Sequence, residues 1–292
     1  MNHRQSHIII LLLLLLSLCH AAVAVDSGRF AFRKFNAIDK LPIDEVRCMH
    51  QDRLGFVWIG TKNGLYRYDG FHIKSFRNTE HTPFLLPSDN ITYITDDKDC
   101  NLWIGTKNGL CCMDMRTGLT KTYHFTDFDN CDAVNRILVM SDGRMYVGTE
   151  GGLYSYSRKD DSFELLCDQR GNSKVPHSSV SCLYEGRNGM LWVGTWDRGL
   201  YRYDKRIKQW YELPPFNTQH SAQCVYEDLD GTLWVGTWGS GLYKIYNPLD
   251  TGTPLRFTNF TIDTTGGQLT SNIIWDIEHE NVTGLTWIGM PN

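Results

Sequence analysis

Residues Leu233–Tyr243 read LWVGTWGSGLY, and near-copies of this stretch recur along the chain. The copies are Val57–Tyr66 (VWIGTKNGLY), Leu102–Leu110 (LWIGTKNGL), Met145–Tyr154 (MYVGTEGGLY), Leu191–Tyr201 (LWVGTWDRGLY) and the opening of another, Leu285–Gly289 (LTWIG). The central glycine of each copy lies at position 60, 105, 148, 194, 236 or 289. Successive central glycines are therefore 42 to 53 residues apart. A repeat of this length made of strand-forming residues is typical of a radial repeat fold.

The residues of one period divide into four short strands. In the first repeat these are Val46–Gln51, Phe56–Thr61, Leu65–Asp69 and Phe71–Phe76, with turn residues between them. The sequence therefore predicts an all-β fold, a β-propeller of four-stranded blades with five complete repeats and part of a sixth, which leaves the ring incomplete. Residues 30–35 (FAFRKF) resemble a fourth strand without a blade of its own, so we interpret the sequence as the amino-terminal piece of a longer protein.

The repeated tryptophans and glycines are interpreted as structural. The tryptophans are expected to fill the wedge between adjacent blades; they are Trp58, Trp103, Trp192, Trp234 and Trp287. The central glycines are expected where a side chain would meet the adjoining blade; they are Gly60, Gly105, Gly148, Gly194 and Gly236. The glycines that close the turn between the second and third strands are expected to have positive φ; they are Gly64, Gly109, Gly152, Gly199 and Gly241.

The amino terminus has the layout of a secretory signal. Ile8–Leu18 is an unbroken apolar run, and Ala22-Val23-Ala24 offers a cleavage site with small residues. The run is too short to span a bilayer as a mature helix. We therefore predict a signal peptide at residues 1–24, a propeller at residues 25–292 and a periplasmic location. Cys19 suggests a lipoprotein anchor as the weaker alternative, because Leu18 stands where such sites need a small residue.

Composition argues against a nucleic-acid partner. The formal net charge is −4, with 29 Lys and Arg against 33 Asp and Glu and no basic run, whereas phosphate binding needs clustered cations. Cys48, Cys182 and Cys224 each lie 12 residues before a central glycine, so they occupy one position in three blades. We interpret them as small buried side chains rather than as disulfide or metal ligands.

The pattern V-x-x-x-x-x-D-x-x-G-x-[LV]-W-[IV]-G-T-x-x-G-L-Y, seen in Val46–Tyr66, closely resembles the two-component regulator propeller repeat. Blade three departs from it at Met140 and Tyr146, which replace the acidic residue and the tryptophan. The resemblance implies the exported sensor region of a hybrid two-component system of gut Bacteroidetes, which senses oligosaccharides. It implies no enzyme activity for this chain. Its partners would be an oligosaccharide and the rest of a sensor kinase, namely a second propeller, a sandwich linker and a membrane helix, with a homodimer as one option.

Two of the turns between second and third strands are one residue longer than the others and carry an extra tryptophan. An aromatic face beside polar side chains is what a carbohydrate site needs. The predicted ligand-binding residues are those of the two longer turns and the lysines of two equivalent turns, namely Trp196, Asp197, Arg198, Trp238, Ser240, Lys62 and Lys107. The alternative is that the tryptophans only cover the top of their blades.

Signals for catalysis are weak, and the sequence predicts no catalytic residue, no metal site and no cofactor. The histidines are scattered and none forms a recurring motif with a carboxylate or cysteine. A propeller enzyme, a lyase or a glycan hydrolase, would need acids or histidines around the central channel. The first strands instead offer Cys48, Tyr93, Arg136, Cys182 and Cys224. A protein-interaction scaffold is the other alternative.

Overall fold

In the computed structural model, 22 strands form five four-stranded antiparallel sheets and one two-stranded sheet. The structure describes residues 45–77, 86–125, 131–167, 170–173, 175, 178–214, 221–250, 252–280 and 284–291, and no helix occurs in these ranges. The predicted signal peptide (1–24) and the predicted strand at residues 30–35 lie outside the described residues. The all-β propeller prediction is confirmed, and the ring is not closed.

The strands follow one another in simple meanders. Blade one contains β1 (Val46–Gln51), β2 (Val57–Thr61), β3 (Gly64–Tyr68) and β4 (Ile73–Phe76). Blade two contains β5 (Ile91–Asp96), β6 (Asn101–Thr106), β7 (Gly109–Asp114) and β8 (Thr120–Tyr123). Blade three contains β9 (Val134–Val139), β10 (Met145–Thr149), β11 (Leu153–Ser157) and β12 (Ser162–Leu165).

The second half of the described chain repeats this arrangement. Blade four contains β13 (Val180–Glu185), β14 (Leu191–Thr195), β15 (Leu200–Asp204) and β16 (Gln209–Leu213). Blade five contains β17 (Ala222–Glu227), β18 (Leu233–Thr237), β19 (Leu242–Ile245) and β20 (Phe257–Phe260). The partial sixth blade contains β21 (Asp276–His279) and β22 (Thr286–Gly289). The first strands of successive blades lie side by side from β1 to β21, so they surround a central channel.

The repeated tryptophans occupy the wedges between blades, as predicted. Trp58 is 1% exposed and packs against residues of blade two such as Ile94 and Met113. Trp103 and Trp192 are buried in the same way under blades three and five. Trp234 is only half-buried, under the partial sixth blade. The prediction is wrong for Trp287, which is 46% exposed, because no blade covers it in the described part of the chain.

The central glycines lie where adjacent blades approach most closely. A Cβ atom on Gly60 would lie 2.7 Å from Cγ2 of Ile91 in blade two, and one on Gly105 would lie 2.8 Å from Cγ1 of Val134 in blade three. At Gly194 the obstacle is the main-chain oxygen of Ala222 in blade five. A side chain at these positions would push two blades apart, which explains why every complete blade has glycine there.

Candidate functional site

A threonine builds the turn between the second and third strands of every complete blade. In blade one the Thr61 hydroxyl donates to the oxygen of Gly64 at 2.9 Å and accepts the amide of Asn63 at 3.0 Å. The equivalent threonines make the same pair of bonds; they are Thr106, Thr149, Thr195 and Thr237. All five are buried. The turn therefore keeps its shape without help from the side chain that follows the threonine.

These turns share one face with the loops that lead from blade to blade. The amide of Gly64 donates to the oxygen of Asp89, in the loop before β5, at 2.8 Å. The amide of Trp196 donates to the oxygen of Ser179, in the loop before β13, at 2.9 Å. The turn glycines have positive φ as predicted, for example 123° at Gly64. The residue after each threonine is consequently displayed on this face.

Three tryptophans form a continuous exposed cluster on the face. The rings of Trp196 and Trp238 have centroids 5.2 Å apart at an angle of 50°, and the rings of Trp238 and Trp275 are also 5.2 Å apart, edge to face at 71°. Trp196 is 46%, Trp238 41% and Trp275 53% exposed. The structure thus brings together the two predicted tryptophans and adds a third from the start of blade six. We call these three residues the tryptophan face.

Polar residues follow Trp196 and Trp238 in the two longer turns. Asp197 is exposed and accepts a hydrogen bond from the Ser178 hydroxyl at 2.7 Å. The amides of Arg198 and Ser240 donate to Thr195 and Thr237 at 3.1 and 3.0 Å. These bonds fix the main chain of Arg198 and Ser240 and leave the Arg198 side chain exposed. The two turns thus place a carboxylate, a guanidinium and a hydroxyl within two residues of a tryptophan.

The two predicted lysines lie on other blades and are engaged in ion pairs. Lys62 of blade one pairs with Glu45. Lys107 of blade two pairs with Glu150 of blade three at 2.7 Å. They occupy the position equivalent to Trp196 and Trp238, directly after the turn threonine. Their participation in ligand binding stays a prediction.

The first strand of each blade places one equivalent residue at the central channel, and all of these except Cys224 line its cavity. Each lies opposite a central glycine, and the set is Cys48, Tyr93, Arg136, Cys182, Cys224 and, in blade six, Asp276. The cavity has a volume of about 690 Å³, and Trp275 and Glu278 also line it. Trp275 therefore belongs both to the channel and to the tryptophan face.

The thiols and the phenol of the channel are poorly suited to proton transfer. Burial raises the pKa of the Cys48 and Cys182 thiols to about 12. Burial also raises the pKa of the Tyr93 phenol, although the nearby Arg136 partly offsets this effect. Groups that stay protonated near neutral pH cannot serve as general bases. His50, at the channel wall, is held by Asp96 at 2.8 Å.

Metal ligation finds no support where the structure describes the chain. No group of three or more His, Cys, Asp or Glu side chains is placed to hold an ion among these residues. The thiols of Cys48, Cys100, Cys112, Cys182 and Cys224 are free. The same part of the chain contains no helix that is long and apolar enough to cross a membrane.

Sequence reasoning missed Trp275 and Asp276. In the complete blades the channel residue lies 12 positions before its central glycine, but Asp276 pairs with Gly289, so blade six has one residue more in its first turn. Because of this extra residue, counting back 12 positions from Gly289 does not reach Asp276. The sequence feature that could have indicated these two residues is Trp275-Asp276-Ile277, in an otherwise strand-like stretch.

Comparison with known proteins agrees with this architecture. Residues 40–63, 85–108 and 174–197, which fall on blades one, two and four, match the family described as two component regulator propeller. Histidine kinase P4 of Formosa agariphila is 34% identical over 65 residues, which are 22% of this chain and 5% of that protein. The chain thus spans a small part of this relative's length.

Solved structures share the fold at low sequence identity. The extracellular domain of a protein described as a hybrid two component system from B. thetaiotaomicron has a TM-score of 0.58 and 22% identity, over 86% of this chain and 37% of that one. A virginiamycin B lyase from Staphylococcus aureus has a TM-score of 0.62 and 15% identity, over 86% of this chain and 79% of that one. The lyase likeness extends to the fold alone. The structure is thus a β-propeller, and three of its repeats match the two-component regulator propeller family.

Proposed function

We propose that this chain is the ligand-sensing propeller of a hybrid two-component signalling system, and that it binds an oligosaccharide on the tryptophan face. The observation that carries the proposal is the contact between Trp196, Trp238 and Trp275, three large apolar side chains that stay about half exposed. Exposed aromatic side chains that touch one another without being covered are typical of a binding surface.

The chemistry of the tryptophan face suits a sugar. An indole ring offers a flat apolar surface for the C–H face of a pyranose, and neighbouring polar groups supply direction. Asp197 accepts and Arg198 donates hydrogen bonds, and both are exposed. Because the rings tilt at 50° and 71° to one another, they form a curved rather than a flat platform. Such a platform favours a bent chain of several sugar units over one monosaccharide.

The wider setting is part of the same proposal. The curated relative is a histidine kinase, and the B. thetaiotaomicron structure is an extracellular domain. We infer that the chain is exported to the periplasm by residues 1–24 and works with a second propeller, a sandwich linker and a membrane helix. Ligand binding would then control glycan-utilisation genes, with a homodimer as the signalling unit.

Calorimetric titration of the purified chain with a panel of oligosaccharides tests the proposal. For the oligosaccharide that binds, Trp196→Ala, Trp238→Ala and Trp275→Ala should each weaken binding by about 1–3 kcal/mol, as aromatic anchors commonly do. Phe71→Ala is the matched control, because Phe71 is also an exposed aromatic residue, at a turn of blade one. If all four variants bind as the wild type does, the tryptophan face is structural.

The same samples discriminate against the two alternatives. A propeller enzyme would convert the oligosaccharide, so mass spectrometry after long incubation should find only the intact ligand. The channel residue Asp276 and the nearby His50 are the groups to substitute if products appear. A protein-interaction scaffold would bind none of the oligosaccharides with either wild-type or variant chain.

A further inference from the structure

The wedge between blades one and two lacks an aromatic side chain that the next two wedges contain. On the outer strand of blades three, four and five, an aromatic residue lies opposite the third strand; these are Phe163, Trp210 and Phe257. The equivalent residue of blade two is Thr120, which lies opposite Met113. Blade two therefore presents a methionine and a threonine to blade one, where blade three presents Tyr156 and Phe163 to blade two.

A cavity of about 440 Å³ lies between blades one and two. Trp58, Phe56 and Phe76 line it from blade one, and Met113 and Met115 line it from blade two. In the next wedge the same space is filled, because Tyr156 and Phe163 pack on Trp103 with centroids 5.3 and 6.2 Å away. The volume lies in the range of about 300–1,000 Å³ that small-molecule pockets occupy. We call this space the blade-one cavity.

Three cations of blade one line the blade-one cavity. Arg67 lies over the Phe56 ring at 4.4 Å, Lys74 lies over the Phe76 ring at 5.0 Å, and Arg77 bonds the Tyr66 hydroxyl. None of the three forms an ion pair with a described residue, although thirteen other pairs are found there. The Nε of Arg77 is buried without a hydrogen-bond partner among the described residues.

The one carboxylate in the lining is already satisfied. Asp52 accepts the amides of Leu54 and Phe56 at 2.9 and 3.0 Å and the indole N–H of Trp58 at 2.7 Å. It is 4% exposed. The three cations outnumber it, so the cavity has an excess of positive charge against an aromatic wall.

We propose that the blade-one cavity is a second ligand site, which binds a small ring compound carrying one anionic group, such as a uronate sugar. The ring packs against Phe56, Phe76 and the two methionines, and the carboxylate accepts charge-assisted hydrogen bonds from Arg67 and Lys74. This site is independent of the tryptophan face, which lies on blades four to six.

Titration of the purified chain with D-glucuronate tests the site, with D-glucose as the neutral probe and inorganic phosphate as the anion without a ring. Glucuronate should bind at least about tenfold more tightly than either, because it alone combines ring contact with a charge-assisted bond. Thr120→Phe should abolish binding, because its ring would enter the space that Phe163 occupies in the next wedge. Lys74→Gln, at an exposed position, should weaken binding about tenfold without disturbing the wedge.

Thermal unfolding of each variant identifies any that fails to fold, and Lys74→Gln then carries the test because its side chain is exposed. Leu229→Ala, at an exposed turn of blade five, is the control and should leave glucuronate binding unchanged. The proposal is overturned if glucuronate does not bind, if glucose or phosphate binds as well as glucuronate, or if a folded Thr120→Phe or Lys74→Gln variant keeps the wild-type affinity.

Discussion

The indole Nε1 of Trp58 donates a hydrogen bond of 2.7 Å to Oδ2 of Asp52, and the same bond joins Trp103 to Asp97 at 2.8 Å. Each carboxylate also accepts two amides of the turn between the first and second strands. One acidic residue therefore holds both the turn and the wedge tryptophan. In blade three both the acidic residue and the tryptophan are replaced, by Met140 and Tyr146.

Replacing Asp97 by Met should lower the free energy of unfolding by about 1–3 kcal/mol, because it leaves the buried Trp103 N–H without an acceptor. Adding Trp103→Tyr recreates the pair found in blade three. The double variant should lose less stability than the sum of the two single variants, with a coupling of about 0.5–3 kcal/mol. Urea denaturation of all four proteins measures the cycle. Additive losses would mean that the two positions are independent.

Gly194→Ala should destabilise the propeller by about 1–3 kcal/mol or more, because the new Cβ would lie inside 3.0 Å of the Ala222 oxygen and the Cys182 sulfur. A main-chain oxygen cannot move without shifting β17. Gly252→Ala is the matched control, since its Cβ would meet nothing nearer than 3.6 Å. Thermal melts should separate the two variants clearly, and equal melting temperatures would contradict the close approach of blades four and five.

The channel thiols should resist alkylation. Burial raises the pKa of Cys48 and Cys182 to about 12, and the reactive species is the thiolate. At a pH of about 8 the folded chain should leave both residues unlabelled by iodoacetamide, whereas labelling should be complete in guanidinium chloride. Peptide mass spectrometry identifies the labelled positions. Rapid labelling of Cys182 in the folded chain would show that the wedge opens readily.

Asp161 should make stability depend on pH in the acid range. Hydrogen bonds from Lys121, Tyr123 and Tyr156 lower the pKa of its carboxyl group to about 2. The stabilisation is fully present above the unfolded value of about 4 and is lost as the pH falls through about 2. Asp161→Asn should therefore destabilise the chain at neutral pH, and the difference from wild type should shrink as the pH falls below about 4. Melting temperatures across this range measure it, with the exposed Glu212→Gln as the control.

The repeat period was enough to predict the blades, the wedge tryptophans and the glycines, because each of these follows from one residue recurring at one spacing. It also placed Trp196 and Trp238 together, since their turns belong to consecutive blades. Trp275 could not be found in this way, because it precedes a first strand whose register differs by one residue. The blade-one cavity could not be predicted from the period either, because it depends on how side chains of two blades, such as Trp58 and Met113, pack against each other.

The threonine that closes each turn has a consequence for how such a protein diversifies. Its hydroxyl donates a hydrogen bond to the oxygen of the turn glycine, so the next side chain is not needed to hold the main chain in place. Blades one to five carry Lys62, Lys107, Glu150, Trp196 and Trp238 directly after this threonine, although the turns of blades four and five are one residue longer. Substitutions at this position can thus change the exposed surface one blade at a time and leave the main chain of the blades unchanged.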